Sequence, residues 1–82
     1  MEFDSTRPKW RQIRDVIAGR IESGEYPPGH LISAAQLEQD FGVARATVQK
    51  VTASLRADGL IRTEFGMGSF VLDRTNAEAP PR

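Results

Sequence analysis

The run "RATVQK", residues 45–50, places a guanidinium, a hydroxyl, a carboxamide and an ammonium within six positions. All four donate hydrogen bonds, and none stands beside a base that would make it a nucleophile. On a helix, Arg45 and Gln49 lie one turn apart on the same side. Arginine can hold O6 and N7 of guanine together, and a glutamine amide can pair with N6 and N7 of adenine. Thr47 and Lys50 suit phosphate oxygens, while the small Ala46 and Ala53 allow close approach to a groove floor. A second cluster, Gly66-Met67-Gly68 followed by Ser69, offers bare backbone N–H groups and a hydroxyl to a sugar-phosphate edge or minor groove. Each pattern has a plainer reading. The first is also an ordinary solvated helix face, and the second also meets the positive-φ needs of a hairpin turn.

Other chemistries find little support. The chain has no cysteine, so thiolate metal sites and disulfides are excluded. Its one histidine, His30, sits in a Pro-Gly turn and reads as a solvent-exposed turn residue. No catalytic constellation, metal site or cofactor motif is expected. Eighty-two residues suffice for one small domain. No run approaches the roughly 20 apolar residues of a membrane span, and "MEFDSTRP" lacks a secretory apolar region. A cytoplasmic protein is the expectation.

The total charge does not favour a polyanionic partner, since 11 Lys and Arg are balanced by 11 Asp and Glu. The balance is uneven along the chain. Residues 43–63 carry Arg45, Lys50, Arg56 and Arg62 against Asp58, a local +3, while residues 1–42 carry −2 and residues 64–82 carry −1. Screening over about 8–10 Å makes the local value matter more than the total. Arg7, Lys9 and Arg11 add phosphate-seeking groups around the start of the first helix. A neutral total still predicts modest non-specific affinity, because few counterions are released.

The elements that must position these groups are legible from periodicity. Pro8 suits a first helical turn, and Trp10, Ile13, Val16, Ile17 and Ile21 form one apolar face that ends at Gly24. Gly19 lies inside this helix at about 1 kcal/mol relative to alanine, tolerable where a neighbouring chain packs close. "YPPGH" is a turn, and residues 30–32 suit a short strand. Ser33 and Gln36 form a capping box for a helix over 34–41, burying Leu37 and Phe41 and closed by Gly42. A third helix spans about 44–58, with Val48, Val51 and Leu55 inward and a glycine cap at Gly59. "LIRTE" and "SFVL" around "FGMG" read as a hairpin. The order predicts an α+β, mainly α fold, a winged helix-turn-helix of three helices plus a small antiparallel β-hairpin wing. Residues 1–7 read as a flexible arm, 8–72 as the domain, and 73–82 as a disordered tail or linker stub.

The features "IESGEYPPG", "LISAAQLEQDFGVARATVQKV", "LRADGLI" and "GMGSFV" together resemble the N-terminal DNA-binding domain of GntR-family bacterial transcriptional regulators, over about residues 8–71. The resemblance implies binding to double-stranded DNA, at a pseudo-palindromic operator, as a homodimer, most often in repression. Residues carried over by it are Ser33, Arg45, Thr47, Gly66 and Gly68. Several positions depart. Ala34 and Ala35 stand in a run that usually brings an arginine, and Gln49 and Met67 replace basic residues. Ala44 replaces a capping Ser or Thr, at about 1 kcal/mol. Glu38 takes a position commonly held by alanine and must point outward or find a partner. This thinning predicts an unusual operator and more shape-dependent recognition. No effector domain follows within the chain. Met1 favours a complete short regulator, the alternative being an excised domain. A rival reading is a winged-helix protein-interaction module that has lost DNA specificity.

Overall fold

Pro8, with φ −59°, leads into helix α1 (Lys9–Ser23), the first element of the computed structural model, which describes residues 3–64 and 68–72. Gly66, Met67 and the tail over 73–82, all given roles or states above, lie outside those residues. Ile13, Ile17 and Ile21 are buried as their spacing predicts, whereas Val16 is only half-buried and Ala18 takes part in the core. The inner face also holds a polar residue, Gln12. Its amide donates to Asp4 O at 2.7 Å and Arg7 O at 3.0 Å, and accepts from Asp4 N at 2.7 Å. Residues 3–7, part of the arm read above as flexible, are thus folded back on α1. A buried carboxamide needs partners for both its donors and its oxygen, and the arm's backbone supplies them. Gly19 is exposed, and among the described residues no atom beyond its own helix backbone and chain neighbours lies within 4 Å of where a side chain would begin, so no described residue is the close neighbour envisaged there.

Helix α2 (Ala34–Phe41) starts at Ser33, whose hydroxyl accepts from Gln36 N at 3.2 Å. The reciprocal half of the capping box is not made: the Gln36 amide donates to Asp40 Oδ1 at 2.8 Å instead. Gly42 closes α2 at φ 63°, a left-handed conformation that a side chain would strain. That reversal lets Val43 N donate to Glu38 O and redirects the chain into α3 (Arg45–Ala57). Ala44 is the N-cap of α3 and contributes no side-chain bond. Leu60 N reaches back to Leu55 O at 3.0 Å past Gly59, completing the expected glycine exit.

Strands β1 (Leu31–Ile32), β2 (Ile61–Glu64) and β3 (Gly68–Val71) form an antiparallel sheet in the order β1-β3-β2. The hairpin register pairs Ile61 with Val71 and Thr63 with Ser69. On the other edge Leu31 pairs with Phe70, and Gly29 and His30 continue the ladder through bonds to Val71 of 2.8 and 3.0 Å. His30 is therefore not a solvated turn residue. It is half-buried, and its ring stacks on Tyr26 with centroids 4.3 Å apart and planes 7° from parallel. Leu37, Val48, Val51, Leu55, Ile61 and Val71 join α1, the helix pair and the sheet in one core. Arg14 of α1 pairs with Asp58 just beyond α3, closing that core at one end. Among the described residues, no helix is long and apolar enough to cross a membrane.

Candidate nucleic-acid interface

Along α3, steps of four, three and four residues link Arg45, Gln49, Thr52 and Arg56 into one stripe. With Ala53 they form one wall of an open cleft of about 530 Å³, whose other wall includes Ile32, Ala34, Thr63, Gly68 and Ser69. The structure thus brings four of the expected site residues, Arg45, Gln49, Gly68 and Ser69, around one space between α3 and the sheet. Ala46 and Lys50 are exposed on the flank of α3, and Thr47 is half-buried in its first turn.

Two expected residues sit elsewhere. Ser33 lines a separate groove with Tyr26, His30 and Asp40, its hydroxyl engaged as the cap of α2. Arg11 lines a third groove with Arg7, Trp10 and Arg14, its guanidinium 5.4 Å from the Trp10 ring centroid. The neighbouring cations are largely committed. Arg7 pairs with Asp4 and Asp15 at 3.7 and 3.9 Å, and Lys9 lies 5.5 Å from the Phe3 ring centroid.

Ser69 is placed differently from the expectation of an outward hydroxyl. Residues 69 and 71 are the buried pair of β3, so the serine faces inward and needs a partner. It finds Thr63 Oγ1 across the hairpin at 3.0 Å, and Thr63 in turn accepts from Arg56 Nη1 at 2.8 Å. This polar chain ties the far end of the α3 stripe to the hairpin. Gly68 lies close against β1: a side chain there would begin 3.1 Å from Leu31 Cδ1.

The local charge is also lower than a window along the sequence suggests. Arg45, 59% exposed, donates through Nε to Oε2 of Glu38, and Arg62 pairs with Glu64. Both carboxylates lie outside residues 43–63, so the +3 read from that window is partly cancelled in space. Lys50 makes no ion pair among the described residues. Thr52, Arg56, Thr63 and Glu38 were missed as interface residues by sequence reasoning, Thr52 having been read as lying alongside the inner stripe of the helix. Arg56 was findable, since it repeats the Arg45 side of the helix three turns on. The Glu38–Arg45 pair crosses the α2–α3 turn, which no periodicity reports.

The decisive comparison follows the same residues. The pattern of the bacterial regulatory proteins of the gntR family matches residues 9–71. The chain belongs to the GntR family. Among its relatives is the HTH-type transcriptional regulator YdfD of Bacillus subtilis, 44% identical over 69 residues, which covers 83% of this chain and 14% of YdfD. The histidine utilization repressor of Pseudomonas putida is 31% identical over 67 residues, covering 80% of this chain and 27% of that protein. The chain therefore spans a minor part of the length of these GntR relatives. Among solved structures, the DNA-binding domain of AraR in complex with operator ORR3 superposes with a TM-score of 0.76 at 35% identity, covering 87% of this chain and 84% of that one. A GntR family regulator from Listeria monocytogenes superposes with a TM-score of 0.83 at 29% identity, covering 93% and 68%.

Proposed function

We propose that this chain is a sequence-specific DNA-binding transcriptional regulator, acting as a repressor. Helix α3 enters the major groove, and the glycine-rich hairpin lies against the minor groove or backbone. Two copies meet a pseudo-palindromic operator, in keeping with the two-fold symmetry such sites share with paired helix-turn-helix units. The observation that carries the reading is the α3 stripe: Arg45, Gln49 and Arg56 face an open cleft whose opposite wall is the sheet. Its likeness to an operator-bound DNA-binding domain supports the same placement.

In this reading Arg45 reads guanine and Gln49 reads adenine one turn on. Lys50 and Thr47 hold phosphates, the small Ala46 admits close approach, and Gly66, Met67 and Gly68 carry the wing contact. Ser33 and Arg11 contact the backbone beyond the cleft, and Ser69 acts through the Thr63 hydroxyl that it supports.

Fluorescence anisotropy with duplexes from a randomised pool, before and after selection, tests the proposal. A selected duplex should bind with an affinity that falls with salt. Arg45→Ala should weaken that complex by about 1–3 kcal/mol and relax discrimination at one base pair. Equal and negligible binding to every duplex at low salt refutes the proposal and favours a protein-interaction module.

A further inference from the structure

The proposed reading gives no role to the carboxylate of Glu38, which pairs with Arg45. Its backbone oxygen is held by Val43 N–H at the end of α2, and its side chain, 29% exposed, accepts from Arg45 Nε. The residue is thus anchored at both ends, on the neighbouring helix and beside the cation best placed to read a base.

An exposed arginine on a helix is a mobile cation that pairs with any phosphate. Such pairing adds affinity and salt dependence but carries no sequence information. The Glu38 carboxylate changes both properties of Arg45. It cancels the unit charge that a passing phosphate would feel, and a phosphate drawn to Arg45 must also approach a fixed anion. It also takes Nε, which leaves the two Nη groups as the outward end of the fork. That end still matches O6 and N7 of guanine, two neutral acceptors at one base edge.

We infer that Glu38 is a specificity-determining positioning residue. It suppresses phosphate pairing by Arg45 and confines that guanidinium to guanine. The inference rests on α3 reading bases as proposed above. Discrimination built on a repulsive element, at the expense of total affinity, is a general route to specificity.

The test uses the 82-residue chain as wild type, Glu38→Ala, Glu38→Gln, Arg45→Ala and the Glu38→Ala/Arg45→Ala double variant. Each is titrated by anisotropy against the duplex selected by the wild type and a scrambled duplex, across a salt series. Glu38→Ala should bind the scrambled duplex several-fold more tightly and steepen its log–log salt slope by about 0.9, one further phosphate. The ratio of selected to scrambled affinity should fall about tenfold, within the range for one base contact. Glu38→Gln, which keeps an acceptor but not the charge, should share the steeper slope and retain more of the ratio. In the Arg45→Ala background, removing Glu38 should leave the ratio unchanged, because its effect runs through Arg45. A purely structural role would move affinity for both duplexes in parallel and leave the slope alone. That result, or an unchanged ratio in Glu38→Ala, overturns the inference while leaving base reading intact. If the wild type selects no sequence at all, base reading and this inference fall together.

Discussion

Gly19 offers a sharp check on the α1 packing. It lies in the interior of a 15-residue helix, is exposed, and has open space where a methyl group would stand. It is not among the glycines at positive φ. Alanine there meets no described atom beyond its own helix backbone and chain neighbours, and adopts the backbone already present, so the change reduces to helix propensity and the entropy of the unfolded chain. Both favour alanine, by about 0.8–1 kcal/mol in total. For a domain of this size the midpoint of thermal unfolding should rise by about 4–8 °C per kcal/mol. Urea unfolding followed by far-ultraviolet circular dichroism should show a higher midpoint at constant m, since no additional surface is buried. Gly19 is also absent from the walls of the α3 cleft, so affinity for a selected duplex should be unchanged. An unchanged or lowered midpoint refutes the reasoning. A lowered midpoint together with concentration-dependent unfolding of the wild type would mean that a second chain occupies the space beside Gly19.

Two further outcomes follow from the geometry. Gly42→Ala should have the opposite sign, because φ there is 63°; about 1–2 kcal/mol of stability should be lost in the same urea experiment. The Asp4 carboxyl accepts from the Thr6 hydroxyl at 2.6 Å and the Thr6 amide at 2.9 Å, which hold it below its ordinary 3.8. A group whose pKa is lowered by folding contributes stability above its unfolded value and loses it as pH falls through the folded one. An NMR titration should therefore place the Asp4 midpoint below 3.8, with the Thr6 amide resonance moving in step, and Thr6→Ala should raise it.

The helices and the hairpin were legible because their signals are local. Val48, Val51 and Leu55 repeat at helical spacing, Ser33 precedes an apolar period, and glycines follow α1, α2 and α3. The α3 stripe was half legible: Arg45 and Gln49 were recognised, while Arg56 was counted as charge and not as wall. What escaped were meetings between segments distant in sequence. Gln12 occupies an apolar position, and only the folded-back arm explains how its amide is satisfied. Ser69 reads as a hairpin-tip hydroxyl until the register places Thr63 opposite it. His30 reads as a turn residue until β1 joins β3 and brings Tyr26 alongside. Glu38 raised a question that its side chain's place beside Arg45 answers.

The ladder between His30 and Val71 has a mechanical meaning for the whole interface. β3 is clamped on one side by its hairpin partner and on the other by the segment that leads directly into α2. The helix pair and the base of the hairpin are therefore tied to each other through β3, like the two jaws of a calliper. In the proposed reading, a duplex whose grooves lie at another spacing would deform to fit that gap. In that reading the sheet sets the gap, so residues that never touch a base would still decide which stretch of double helix is gripped.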